Sequence, residues 1–80
     1  MIRIIFSRLQ KVIKETVDVS KADLTFNTYF KDDLDMSKDD LKLLARKIEN
    51  EFGIDIPKNL FKEFGTIGEL VGFIEAEKGR

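Results

Sequence analysis

The chain has no cysteine, which excludes disulfides and thiolate metal sites and leaves a small domain to hold itself together by packing alone. It has no histidine either. That removes the commonest general base, the commonest zinc ligand and every Ser/His or Cys/His constellation. An excess of one charge is also missing: 14 basic residues stand against 15 acidic ones, for a net charge of −1. A nucleic-acid binder would show a strong basic excess, so no nucleic-acid partner is expected. Long apolar runs are absent. Ile2, Ile4, Ile5 and Phe6 are interrupted by Arg3 and followed by Arg8, so they form neither a signal-peptide core nor a membrane span. The lack of cysteine suits the cytoplasm.

What remains is one domain, 1–80, in which 42% of residues are hydrophobic, enough for a single core and too much for a disordered chain. A chain of this size buries only about 60–65% of its unfolded surface. Its patterning therefore has to be good. Ile2, Ile5, Phe6, Leu9, Val12, Ile13 and Thr16 recur at three- and four-residue spacing, with Arg8, Lys11, Lys14 and Glu15 off the stripe. This predicts a first amphipathic helix over 2–16.

Asp18 to Met36 lacks a sustained period and is rich in Asp, Ser, Thr and Asn, so it reads as a long loop anchored by Leu24, Phe26, Tyr29 and Phe30. A short helical turn is possible over Ser20 to Leu24. A connection this long is uncommon and normally has a packing or functional reason, and it would let the first two helices run roughly parallel.

Ser37 opens a second helix over 37–52, with Asp40 three residues on as a capping-box partner. Leu41, Leu44, Ala45, Ile48 and Phe52 form its stripe and Gly53 its stop. Pro57 suits the start of a short third helix over 58–63, with Leu60, Phe61 and Phe64 packing and Gly65 ending it. Thr66 and Glu69 cap a last helix over 66–78, whose core face is Ile67, Leu70, Val71 and Ile74. The fold class is all-α: a four-helix bundle with a long first loop and a short third helix.

Three blocks appear in order and without gaps: Phe30-Lys31-Asp32-Asp33-Leu34, then Glu51-Phe52-Gly53-Ile54-Asp55-Ile56-Pro57, then Thr66-Ile67-Gly68-Glu69-Leu70-Val71 with Phe73-Ile74. With this helix order the chain resembles the acyl carrier protein family, acyl and peptidyl carriers alike, over roughly Phe6 to Lys78. The resemblance implies a 4'-phosphopantetheine arm, joined as a phosphodiester to a serine in an Asp-Ser-Leu motif at the start of the second helix. The arm's thiol carries acyl groups as thioesters between the enzymes of fatty acid or polyketide biosynthesis. The positive end of a helix dipole and its free N–H groups favour a phosphate at such a place, and apolar space between the helices could shelter an acyl chain.

In this chain Asp35-Met36-Ser37-Lys38-Asp39-Asp40-Leu41 occupies that region. Aligned without a gap, Lys38 falls on the family serine, Ser37 on its aspartate and Asp39 on its leucine. A slip of one residue brings Ser37 into register, and the Leu41/Leu44/Ile48/Phe52 stripe resists that slip. Ser37 is the cofactor-binding candidate, being the only serine near the site. Its other reading is a plain helix N-cap, and the two roles are compatible. No catalytic or metal residue is assigned, and the chain is not expected to be an enzyme. Asp33, Asp35, Ser37 and Asp39 alternate like calcium ligands, but Lys38 stands where the turn glycine belongs and Leu44 where the bidentate Glu belongs.

The implied partners are a phosphopantetheinyl transferase and acyl-transfer or synthase enzymes docking near the second helix, with the chain itself a monomer that binds no membrane. The alternative is a degenerate carrier fold without a prosthetic group, acting as a protein-interaction module. The family's second helix is usually acidic. Here Lys38, Lys42, Arg46 and Lys47 balance Asp39, Asp40, Glu49 and Glu51. That face is either a solvated mixed-charge surface or one read by a dedicated partner. Leu43, off the core stripe, is either an exposed contact residue or partly buried under the loop. Phe26, Tyr29, Phe30, Phe61, Phe64 and Phe73 are expected in the core.

Overall fold

A computed structural model of the chain describes residues 2–20, 23–57, 59 and 65–79. Within them lie three helices: α1 (Ile2–Thr16), α2 (Lys38–Phe52) and α3 (Ile67–Lys78). They coincide with the first, second and last predicted helices to within a residue. The short helix predicted over 58–63 lies outside the described residues, apart from Asn59. There is no strand among the described residues beyond an isolated antiparallel bridge between Tyr29 and Thr66.

Each helix buries the face its spacing predicts. Ile5, Leu9, Val12 and Ile13 of α1, Leu41, Leu44, Ile48 and Phe52 of α2, and Ile67, Leu70, Val71 and Ile74 of α3 share one core. The α1 stripe begins one turn later than the sequence suggests, because Ile2 is exposed. The caps also follow the sequence. Ser37 and Asp40, and Thr66 and Glu69, form reciprocal capping boxes. Gly53 closes α2 at φ 66°, its N–H donating to the Glu49 carbonyl at 2.8 Å.

Helix direction is shown by contacts between the helices. Arg8 of α1 pairs with Glu51 at 3.2 Å and lies 5.8 Å from the Phe52 ring centroid. Lys47 Nζ donates to the Glu15 carbonyl. Ascending α1 therefore means descending α2, and the two run antiparallel, contrary to the parallel arrangement that the loop length allowed. Lys78 Nζ donates to the Phe52 carbonyl at 3.0 Å, which joins the C-terminal ends of α2 and α3. α1 packs against both.

The loop does not return the chain along the bundle; it covers the N-terminal end of α3. The Phe26 and Thr28 carbonyls accept from the N–H groups of Gly68 and Ile67 at 2.9 and 3.0 Å, and Phe30 N–H donates to the Gly65 carbonyl. Leu24, Phe30 and Met36 are its buried anchors. Thr28 is buried as well, and is satisfied by donating to the Asp23 carbonyl and accepting from Thr25 N–H. Gln10 of α1 donates to the Leu24 carbonyl. Asp23 N–H donates to the Ser20 carbonyl, although two residues of the Ser20–Leu24 turn lie outside the described ones.

Two aromatic anchors expected in the core are not there. Phe26 is 43% exposed and Tyr29 48% exposed. Phe26 stacks on Phe6 with ring centroids 4.5 Å apart, and its backbone closes on Gly68. Phe73 is partly buried against the core, and Phe61 and Phe64 lie outside the described residues.

Two tests follow. Ile48 is fully buried, so Ile48→Ala should lower unfolding free energy by about 2–4 kcal/mol in denaturant titration, through lost transfer energy plus a cavity. A loss of less than about 1 kcal/mol would place Ile48 outside the core. The glycines of α3 should respond with opposite signs. A Cβ at Gly68 would lie 2.8 Å from the Phe26 carbonyl oxygen, whereas one at Gly72 meets nothing within 4 Å. Gly68→Ala should destabilise by about 1–3 kcal/mol. Gly72→Ala, inside a helix and unobstructed, should stabilise by about 0.5–1 kcal/mol.

Candidate functional site

The candidate site is the start of α2, and the chain is guided into it by a tight turn. Asp33 and Leu34 N–H groups donate to the Tyr29 carbonyl, Asp35 N–H to Lys31 and Met36 N–H to Phe30. The Asp33 carboxylate accepts from Tyr29 N–H at 2.7 Å. Asp35 ends the turn at φ 51°, a left-handed conformation that Asp tolerates better than most residues. Met36 then drops into the core. Met36 and Leu41 flank the first turn of α2 and are both buried in the same cluster, the positions a hydrophobic staple uses to set a helix's entry angle. Ser37 is thereby held at the surface between a buried residue and a helix.

Ser37 is exposed, with extended backbone at φ −77°, ψ 172°. Its Oγ accepts from Asp40 N–H at 3.1 Å, and its own N–H donates to the Asp40 carboxylate at 3.1 Å. Leu41 N–H donates to the Ser37 carbonyl. The hydroxyl oxygen is thus engaged as an acceptor, while its proton has no acceptor among the described residues. Lys38, the first helical residue, is exposed beside it.

The starts of α2 and α3 differ in one respect. In α3 the first two amides, of Ile67 and Gly68, are taken by loop carbonyls. In α2 the corresponding amides, of Lys38 and Asp39, have no acceptor among the described residues. Of these two, the open helix start is the one beside Ser37, where unpaired N–H groups and the helix dipole favour an anion. Asp39 and Asp40 in the first turn oppose that preference and Lys38 reinforces it.

Of the calcium-like alternation, Asp33 and Ser37 are drawn to other partners. Asp33 is tied to Tyr29 and Asp40 to Ser37. No group of three or more acidic side chains able to hold a metal occurs among the described residues. A depression of about 440 Å³ is formed by the loop itself, lined by Val19, Asp23, Thr25, Asn27, Thr28, Asp33 and Leu34. Another, of about 280 Å³, lies at the opposite end against Ile5, Glu75, Lys78 and Gly79. Neither is the apolar slot between α2 and its neighbour that an acyl chain would need. No helix among the described residues is long and apolar enough to cross a membrane.

Comparison with known proteins identifies the family of the chain. The family model described as "Phosphopantetheine attachment site" matches residues 7–74. The chain is similar to an acyl carrier protein of Lactobacillus acidophilus, 33% identical over 75 residues that cover 94% of each protein. It is similar to acyl carrier proteins of Borrelia garinii subsp. bavariensis and Borreliella burgdorferi, each 35% identical over 75 residues with the same coverage. An open helix start bearing an exposed serine, on a helical core matched along almost its whole length, places the chain in the phosphopantetheine-attachment family of acyl carrier proteins.

Proposed function

We propose that the chain acts as an acyl or peptidyl carrier whose phosphopantetheine arm is attached at Ser37. The observation that carries this reading is the exposed Ser37 hydroxyl beside the two unpaired amides of α2. When bound, the arm supplies a thiol on a long flexible tether that holds acyl groups as thioesters. The protein's own part is positional. Ser37 Oγ provides the ester oxygen, and its proton is the one removed on modification. The Asp40 N–H can continue to donate to that oxygen, so the cap and the ester are compatible. The amides of Lys38 and Asp39, with the Lys38 ammonium, would hold the phosphate against the carboxylates of the first turn.

In this reading residues 1–80 are one carrier domain of the four-helix kind, with 58–63 as the place of the short helix that the sequence predicts. The domain is a monomer in the cytoplasm, has no catalytic residue of its own, and binds neither nucleic acid nor membrane. It meets a phosphopantetheinyl transferase and acyl-transfer or synthase enzymes near α2. A second reading, a carrier fold without an arm that serves as an interaction module, draws on the capping box. That box fully explains a serine at this position, and Lys38 takes the attachment place when the family blocks are aligned without a gap.

Cap and attachment can be separated by substitution. Ser37→Ala should cost about 1 kcal/mol of stability by denaturant unfolding, whereas Ser37→Asp, which retains an oxygen for the cap, should stay within a few tenths. Incubation with coenzyme A and phosphopantetheinyl transferases of broad specificity should add one phosphopantetheine to the intact mass of the native chain and of Lys38→Ala. It should add none to Ser37→Asp. Absence of the addition with several unrelated transferases, on a chain shown to be folded, would establish the module instead.

A further inference from the structure

One peptide unit of the loop faces two ways. The carbonyl of Thr28 accepts from Ile67 N–H at 3.0 Å, and the N–H of the same unit, on Tyr29, donates to the Asp33 carboxylate at 2.7 Å. The first bond closes the start of α3. The second reaches into the turn that ends at Ser37. It is shorter than the bonds of the Asp40 carboxylate to Ser37 N–H, at 3.1 Å, and of the Glu69 carboxylate to Thr66 N–H, at 3.2 Å, and unlike them it caps no helix. A charged acceptor polarises the peptide whose N–H it binds and strengthens that peptide's carbonyl as an acceptor in turn. The next residue repeats the link: Phe30 N–H donates to the Gly65 carbonyl, and the Phe30 carbonyl accepts from Met36 N–H. Asp35, one residue before Met36, is held at φ 51°. A residue other than glycine stays in that conformation only where its surroundings fix it.

We propose that Asp33 is a positioning residue for Ser37: its carboxylate fastens the turn over 29–36 to the loop peptide that closes α3, and so fixes where the attachment hydroxyl stands. Asp33 acts through the chain. It holds the turn, the turn delivers Met36 to the core, and Met36 places the residue after it. Asp33 is exposed, so a bare charge read by a modifying enzyme is the competing role. The short bond to Tyr29 N–H favours positioning, because what that peptide needs is an acceptor oxygen and not a charge. The consequence for the arm rests on the reading of Ser37 as its attachment residue, whereas the coupling between the two helix starts does not.

Two variants separate these roles. Asp33→Ala removes the acceptor, whereas Asp33→Asn removes the charge and keeps an oxygen for Tyr29 N–H. The position is exposed, so both chains are expected to fold. On the unmodified chain, Asp33→Ala should raise amide hydrogen exchange at Tyr29, Asp35 and Met36 by about three- to tenfold, the net worth of one hydrogen bond. Exchange at Asp40, whose amide the Ser37 Oγ caps, should rise with it. The amides of α1 should not change, since a global loss of stability would move those as well. Asp33→Asn should return the exchange to native rates. With coenzyme A and a phosphopantetheinyl transferase that modifies the native chain, Asp33→Ala should lower kcat and leave KM in place, because the hydroxyl is less often in position while docking is intact. Asp33→Asn should match the native chain. The proposal is overturned by unchanged exchange in Asp33→Ala, by a loss confined to KM, or by Asp33→Asn being as impaired as Asp33→Ala, which would make the charge itself the active feature. A native chain that takes no arm from any transferase would sink the reading of Ser37 alone, and the exchange pattern would then decide the inference by itself.

Discussion

The structure depends on the closure of one helix end. The first two amides of α3 would be left without partners at the edge of the core, and a buried unpaired N–H is costly. The carbonyls of Phe26 and Thr28 satisfy them, and that demand accounts for much else. It sets the path of the loop and draws Tyr29 and Thr66 into a bridge. It also requires Gly68, because a side chain there would meet the Phe26 carbonyl at 2.8 Å. A connection of nearly twenty residues is needed because it must leave α1, cover this end and still deliver Met36 to the start of α2. Thr28 serves the same end from within, a buried hydroxyl that ties together the strip of loop presenting the two carbonyls.

With the loop committed to α3, the start of α2 is left open. The two N-termini have nearly the same sequence logic, a hydroxyl residue with an acid three positions on, and their local caps are alike. Only tertiary contact distinguishes them. One helix start becomes part of the core's edge and the other stays available to an anion.

The parts of the fold that were legible in the sequence are those governed by local rules. The stripes of α1, α2 and α3, the two capping boxes and the left-handed stop at Gly53 follow from spacing and from residues with few alternatives. The positions of Phe26 and Tyr29 were not legible, because a segment without a period carries no signal of which aromatic turns inward. Leu24, Phe30 and Met36 took the interior places. Helix direction was not legible either, since a long loop permits both senses and the contacts that reveal it, Arg8 with Glu51 and Lys47 with Glu15, join residues far apart in the chain. At the candidate site the sequence located the helix start, and the burial of Leu41, Leu44, Ile48 and Phe52 bears out its register. What it could not show is that the amides beside Ser37 are open while those beside Thr66 are closed.

That register bears on how Ser37 can serve. With the core stripe in place, Ser37 is the residue before the helix and Lys38 the first within it. A capping serine uses a lone pair of its oxygen to accept an amide hydrogen, whereas esterification replaces its proton, so the two demands fall on different parts of one hydroxyl. A residue one place further along has its backbone committed to the helix, and its side chain has no corresponding capping role. An attachment moved back by one residue, as we propose, would therefore fall where the hydroxyl is held by a hydrogen bond, next to the open amides and to a lysine.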